Sequence, residues 1–530
     1  MDSRAENTAT AQQYDVAVIG GGISGLTTAA RLQAQGLTTI VLESHRRPGG
    51  CAGYFCRRGF SFDVGATTLV DFEPGGIGGT MLTEIGAPEV KGERLPGYVA
   101  WLPNRRITLY RERELWEAER LQALGASRQH QRFWSLMDNL ADVFWRASRR
   151  GIKLPVQNTR DVINAIRCIG LGGLSLARYW NWTMGDALRK HALSDDEPLV
   201  GLLSMLLEDT VHNTVDKAPL INGALGITIR GAGLTRPTGG MRGFLRCFVR
   251  HYRHLGGKLL LRARVSRVRG QLDEFQVESN RGSVFARQVV SALPTPLTAK
   301  LAPAAIGSAL QPYVRRDAGS FGGAFVVFLG VPEDEVATQT WTHHKLLYDY
   351  SRRLGNGNNM FISVSAPGDF ESAPSGYRTV MISTHCELEP WENLSSQEYR
   401  TLKQQLADHL LDVARKVYPS LGRRALVFEA GGPPTYERFT LRPRGAVGGL
   451  QLKLQNSNQA AVPHDIGIPG FWLAGDTTWP GLGTVACTLG SSIVAKQVLQ
   501  LAKPKGSHVV TRPDEGIDAH SQPAVRPCVA

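Results

Sequence analysis

Two hydrophobic periods follow each other at the start of the chain. Asp15-Val-Ala-Val-Ile19 is a β-branched apolar run of strand length that stops at Gly20-Gly-Gly-Ile-Ser-Gly25. From Ile23 to Gln35 the spacing turns helical, with Ala29, Ala30 and Leu32 on the apolar side and Gly36 as terminator. Thr38 to Leu42 predicts a second strand, ended by Glu43. The pattern from 76 to about 234 is different: longer helical stretches, many Trp and Arg, and no further glycine fingerprint. Near Pro237-Thr-Gly-Gly-Met241 the first pattern resumes, with a helix and then the strand-like run Gly256-Gly-Lys-Leu-Leu-Leu-Arg-Ala-Arg-Val265. Alternation returns at Gln288 to Ala292 and Gly322 to Val331, and Phe471-Trp-Leu-Ala474 leads into Gly475-Asp476.

Composition narrows the class. Hydrophobic residues make up 42% and charged residues 20%, which excludes collagen-like and wholly disordered chains. The net charge of +13 raises nucleic acid, an anionic membrane or an acidic ligand as partners. No nucleic-acid module accompanies the charge, so no nucleic-acid partner is expected. Seven cysteines thinly spread over 530 residues support neither a disulfide framework nor a zinc cluster. Cys51 and Cys56 are too far apart for a redox CxxC motif, and no metal site is expected. His343-His344 reads as a surface pair. The first thirteen residues lack the apolar run of a secretory signal. The uncharged stretch Thr477–Ala495 is too rich in Gly, Ser and Thr for a bilayer span. A cytoplasmic chain, touching a membrane from one side, is the expectation.

The strand–helix–strand unit is the context in which a glycine-rich loop carries chemistry. Gly20 permits the tight turn, Gly22 lets the backbone reach a pyrophosphate, and Gly25 lets helix and strand pack closely. Ile23 and Ser24 open the helix, whose amide groups and positive dipole end face the phosphates. Glu43, twenty-three residues after Gly20, is placed to accept hydrogen bonds from an adenosine ribose. A carboxylate there repels a 2′-phosphate, so NADP fits poorly even with Arg46 and Arg47 nearby.

Glu43-Ser-His-Arg-Arg-Pro-Gly49-Gly50 resembles the extended fingerprint of glutathione-reductase-type FAD proteins. Gly470-Phe-Trp-Leu-Ala-Gly475-Asp476 resembles their second signature, in which the Asp holds a ribityl hydroxyl or phosphate. Gly483-Thr484 opens a further helix toward the flavin, and Val265 is added as a cofactor contact. FAD is therefore the expected cofactor. The fold expected is α/β: a glutathione-reductase-type, Rossmann-like FAD domain assembled from residues 14–75, 235–300 and 425–501. A mixed α+β substrate- and membrane-facing domain, residues 76–234 and 301–424, is inserted into it. Residues 1–13 and 502–530 read as disordered tails.

Gly59-Phe-Ser-Phe-Asp63-Val-Gly65-Ala-Thr-Thr, Glu73-Pro-Gly-Gly, Pro237-Thr-Gly-Gly240-Met and Asp476-Thr-Thr-Trp-Pro480-Gly are similar to the carotenoid desaturase and isomerase flavoproteins. With Pro434-Thr-Tyr and Gly445-Ala-Val-Gly-Gly449, the resemblance is strongest to cyanobacterial carotenoid 3′,4′-desaturases and runs from about Tyr14 to Leu501. It implies dehydrogenation of an acyclic or monocyclic C40 carotenoid, by hydride transfer to flavin N5 and loss of a proton from the neighbouring carbon. The cofactor carries the redox step and the protein orients the substrate. Oxygen or a quinone would then reoxidise the flavin. For the proton, Glu208 and Asp209 are candidate bases, although such a pair more often marks the solvated edge of a helix. Asp63 reads as a structural hydrogen-bonding residue near the flavin. The other catalytic residues are unassigned. A carotenoid cis–trans isomerase needs the same cradle, and Rab GDP-dissociation inhibitors use a similar scaffold to carry prenyl groups.

One segment suits a membrane surface. From Arg146 to Lys190 nine Lys or Arg stand against Asp161 and Asp186. They flank the apolar run Ile169–Leu176, with Trp134, Trp145, Trp180 and Trp182 nearby. Basic and aromatic residues around a short apolar segment fit interfacial attachment to anionic lipid.

Overall fold

The computed structural model describes residues 13–502. Gln13 is already the first residue of strand β1 (Gln13–Ile19), opposite Phe285, so the expected tail ends one residue earlier. The remainder of both expected tails, except Ala502, lies outside the described residues. Helix α1 (Ile23–Ala34) and strand β2 (Thr39–Glu43) follow, as the two periods predict.

β1 pairs in parallel with β2 on one side and with Gly282–Ser291 on the other. Lys258–Leu261 extends the sheet in parallel beyond β2. The antiparallel strands Phe275–Ser279 and Val265–Arg269 complete the opposite edge, and Phe471–Leu473 joins Gly282–Ser291 in parallel. Parallel strands need crossovers that cover both faces, so they read as unbroken apolar runs. Val16, Ala17 and Val18 are accordingly all fully buried. The run Gly256–Val265 is not one strand. Arg262 turns the chain in left-handed conformation, φ 55°, and its two halves end on opposite edges of the sheet. Val265 is buried in the apolar cluster that also holds Ala17, Ile19 and Leu42.

The second sheet is mainly antiparallel. In order it contains Val427–Gly431, Phe321–Pro332, Tyr377–Cys386, Asn359–Val364, His343–Leu347, Gly97–Leu102 and Arg105–Tyr110. Val447–Leu450 also pairs with Phe321–Pro332. Two strands from the segment 425–501, assigned by sequence wholly to the cofactor half, thus belong to this sheet. Helices between 113 and 232 pack into a large apolar cluster that includes Phe133, Trp134, Leu202, Leu207 and Trp479. His343 and His344 are not on the surface, because neighbouring residues of a strand point to opposite faces and both faces are covered here. Both are fully buried: His343 stacks on Tyr98, and burial draws His344 down to about 4.

Among the described residues no helix is long and apolar enough to cross a membrane.

Candidate functional site

The glycine loop leaves β1 and enters α1 with no side-chain cap. The first amides of a helix have no intrahelical partner, so the N-terminus is an open row of donors. A Cβ at Gly22 would meet nothing within 4 Å, whereas one at Gly25 would lie 2.0 Å from the Gly20 carbonyl oxygen. Gly22 therefore faces open space and Gly25 is required for packing. Ser24 is buried and its Oγ has no hydrogen-bond partner. An orphaned hydroxyl beside open space at a helix N-terminus fits a phosphate.

Glu43 ends β2 and is buried. Its Oε2 accepts from Gly21 N–H at 2.7 Å and its Oε1 from His45 N–H at 2.7 Å, so the carboxylate clamps the loop as well as offering lone pairs to a ribose. Gly49 N–H donates to the Gly21 carbonyl at 2.8 Å, which brings the Gly49-Gly50 turn onto the same loop. The second signature arrives through the sheet: Ala474 N–H donates to the Ser291 carbonyl and Thr477 bonds Thr295. Gly475 and Asp476 therefore stand at the same end of the sheet as Gly20. Gly483 opens the helix Thr484–Leu501, again with no side-chain cap and with free space around its Cα. Two glycine-opened helices and an orphaned serine fit the donor set a dinucleotide with a flavin requires.

Asp476 carries a surprise. Its Oδ2 accepts from Arg442 Nη2 at 2.5 Å, and both side chains are largely buried. Arg442 places a buried cation beside the loop and was not visible in the sequence as a site residue. The thiols of Cys51 and Cys487 lie close by, both pushed up by burial. Asp63 is buried, and its Oδ1 accepts from Met241 N–H at 2.7 Å at the start of the helix Gly240–His254. Burial raises it to about 6, with Arg236 opposing at 3.4 Å. It anchors a helix.

Glu208 and Asp209 are half-buried and engaged rather than a freely solvated edge. They belong to the helix Glu197–Val211 and meet polar groups of the second sheet. Asn359 Nδ2 donates to Glu208 Oε2, Lys345 pairs with Asp209, and His385 Nε2 lies 3.4 Å from Asp209 Oδ1. Lys345 has a 6%-exposed side chain and sits over the Phe361 ring. Burial draws it down to about 7, with Glu208 opposing. His385 in turn packs against His212, ring centroids 4.7 Å apart. No sequence signal links these residues, because they come from a helix and from separate strands.

The segment expected at a membrane is amphipathic in an inverted sense. On the helix Thr159–Ile169, Val162, Ile163 and Ile166 are exposed beside Arg160 and Arg167, and Leu171 just beyond is 83% exposed. Trp180 and Trp182, by contrast, pack partly buried against the large apolar cluster.

Comparison with known proteins agrees with the geometry of the cradle. A family model described as NAD(P)-binding Rossmann-like domain matches residues 18–84, and one described as flavin containing amine oxidoreductase matches residues 220–498, more than half the chain. Prolycopene isomerase 1, chloroplastic, from an Oncidium hybrid cultivar is 27% identical over 520 residues, covering 94% of this chain and 85% of that protein. A phytoene desaturase (lycopene-forming) from Pseudescherichia vulneris is 48% identical over 54 residues, 10% of this chain and 11% of that one. Among solved structures, an oxidoreductase from Methanosarcina mazei shares the fold, with TM-score 0.61 and 17% identity over 91% of this chain and 99% of that chain.

Proposed function

Because the chain belongs to the family of flavin containing amine oxidoreductases, we propose that it is a carotenoid desaturase, which removes two hydrogens from a long conjugated polyene at the C-3′,4′ bond. It is an FAD-dependent oxidoreductase. Bound FAD supplies two-electron oxidation, and the chain's own residues hold the cofactor, orient the polyene and take up the proton. Glycines 20, 22, 25, 49 and 50 with Ser24 would hold the pyrophosphate, Glu43 the adenosine ribose, and Asp476 with Arg442 the ribityl-phosphate end. Residues 14–75 and 235–300, with 451–501, form the cofactor half in this reading, and most of the remainder forms the substrate half.

The observation that carries desaturation is the ionisable cluster beside the cofactor loop, in which buried Lys345 and His212 meet half-buried Asp209 and His385. Desaturation must dispose of a proton, whereas isomerisation has none to dispose of. The second reading, a carotenoid cis–trans isomerase, is favoured by the full-length similarity to prolycopene isomerase. Expression in hosts that accumulate acyclic carotenoids separates the two. Desaturation lowers the pigment mass by two hydrogens, and isomerisation leaves it unchanged.

The substrate is insoluble in water and must come from a bilayer or a carrier. Val162, Ile163, Ile166 and Leu171, flanked by Arg160, Arg167 and Arg178, suit the headgroup boundary of an anionic membrane. Reoxidation falls to oxygen or a membrane quinone, because Glu43 disfavours the 2′-phosphate of NADP. Turnover strictly dependent on NADP, one equivalent reduced per double bond, would contradict this.

A further inference from the structure

The helix Glu197–Val211 ends on His212, which takes left-handed conformation at φ 55°. Leu452 N–H donates to the Val211 carbonyl at 2.9 Å, and Asn213 Nδ2 to the Leu452 carbonyl at 3.1 Å. These bonds fix His212 against Gly448, where a Cβ would lie 2.2 Å from the imidazole Cε1. The next residue, Gly449, approaches the Asp476 carbonyl as closely: a Cβ there would lie 2.2 Å from it. A single peptide therefore separates the His212 ring from the cofactor loop. The ring is nine-tenths buried, and its Nδ1 has no hydrogen-bond partner. A buried, unpaired ring nitrogen costs stability and calls for a ligand. Beside it stand His385 and, from the cofactor side, Arg442, while Asp209, Lys345 and Glu208 act on His385 in turn. So many ionisable groups in one largely enclosed place are characteristic of chemistry rather than packing.

We propose that His212 is the proton acceptor for the polyene, with His385 and the Asp209–Lys345 pair as positioning residues that hold its ring. The proposal rests on the desaturase reading. A hydride is lost from one carbon, with oxidised FAD as the two-electron acceptor. In the same step the C–H bond of the neighbouring carbon breaks, its electron pair becomes the new π bond, and its proton bonds to a ring nitrogen of His212. The imidazolium releases that proton to water before the next turnover.

The surroundings suit both states. Burial, reinforced by His385 and Arg442, keeps the imidazole neutral, its pKa well below the usual 6.5, so it can accept a proton at neutral pH. Once charged, it sits at the C-terminus of a fifteen-residue helix, where the negative end of the helix dipole favours a cation.

The test uses the FAD-loaded protein with carotenoid in liposomes. Under anaerobic conditions, His212→Gln should retain its flavin and its visible spectrum, while substrate reduces that flavin at least about 100-fold more slowly. The wild-type rate should fall as the pH drops through a value below 6.5, and this limb should vanish in His212→Gln and shift in His385→Gln. A readout without substrate accompanies it. The visible band of the bound flavin should titrate below pH 6.5 in the wild type, with a moved midpoint in His385→Gln and Asp209→Asn. These two variants keep the test decisive if His212→Gln fails to fold. A wild-type reduction rate in His212→Gln, or a flavin titration unmoved in His385→Gln and Asp209→Asn, would overturn the proposal. If the wild-type flavin is never reduced by a polyene, the desaturase reading itself falls, and the proposal falls with it.

Discussion

The cofactor cradle and the polar cluster beside it are built from opposite materials. The cradle is mostly backbone: helix amides, the Gly22 and Gly483 turns, and a few side chains, Glu43 clamping the loop and Ser24 and the Asp476–Arg442 pair beside it. The cluster is side chain: His212, Asp209, Lys345, His385 and Glu208, brought to one place by a helix end and separate strands. A site made of backbone fails when any side chain intrudes. A site made of side chains fails when one particular group is lost, and it tolerates changes of size better. The difference predicts which substitutions remove the cofactor and which leave it bound but idle.

The largest effect belongs to the cradle. Gly22→Val fills the open space in front of α1 and should give a folded, colourless protein. Gly25→Val, by contrast, drives a side chain into the Gly20 carbonyl and should lower the yield of folded chain itself. Flavin content and circular dichroism of the two variants separate a ligand-facing glycine from a packing glycine. If Gly22→Val purifies yellow, the cradle is misassigned.

Glu43→Arg comes next. It removes the acceptor of two backbone amides as well as the ribose contacts, each charge-assisted bond being worth about 1.5–3 kcal/mol. FAD affinity should fall by about 10- to 100-fold per lost bond, read by fluorescence on dilution. Glu43→Gln should lose less, because an amide oxygen still accepts.

A smaller effect sharpens the other side of the contrast. Lys345 is held near pH 7 in the folded chain by burial, against 10.5 in the unfolded one. Between those values the unfolded chain binds the extra proton, so rising pH favours the folded state. The urea midpoint of Lys345→Met should lack this part of the rise, and its flavin content should match the wild type. Equal pH slopes in the two proteins would mean that Lys345 titrates normally.

The smallest effect lies far from both sites. Ile163→Asp with Leu171→Asp should weaken co-sedimentation with anionic liposomes more than Trp180→Ala with Trp182→Ala does, since the tryptophans already pack on the core. Salt should weaken what remains, each basic residue contributing about 1 kcal/mol near an anionic leaflet. Binding indifferent to the double aspartate variant would mean that this face does not meet lipid.

What could be read from the sequence follows the same division. The cradle was legible because Gly20 to Glu43 are close in the chain, and the spacing of glycine, helix and carboxylate is itself the geometry. Asp476 was legible through its signature, but its partner Arg442 was not, since nothing in the sequence says which cation a loop will meet. Glu208 and Asp209 were visible only as carboxylates after an apolar run. Their engagement with Lys345, Asn359 and His385 depends on which strands become neighbours, information that strand periodicity does not contain. His343-His344 was misread for the same reason: alternation predicts opposite faces and cannot say that both are covered. His212 gave no pattern at all, since it stands alone after the helix Glu197–Val211.

If bound FAD and the polar cluster together remove two hydrogens from a polyene, a single anaerobic turnover suffices to see it. Holoprotein is mixed with an acyclic carotenoid in anionic liposomes, flavin absorbance is followed in time, and the extracted pigment is weighed by mass spectrometry. The flavin should bleach in step with the appearance of a product lighter by two hydrogens. A pigment of unchanged mass and altered double-bond geometry, formed while the flavin spectrum stays as it began, would mean isomerisation and not desaturation.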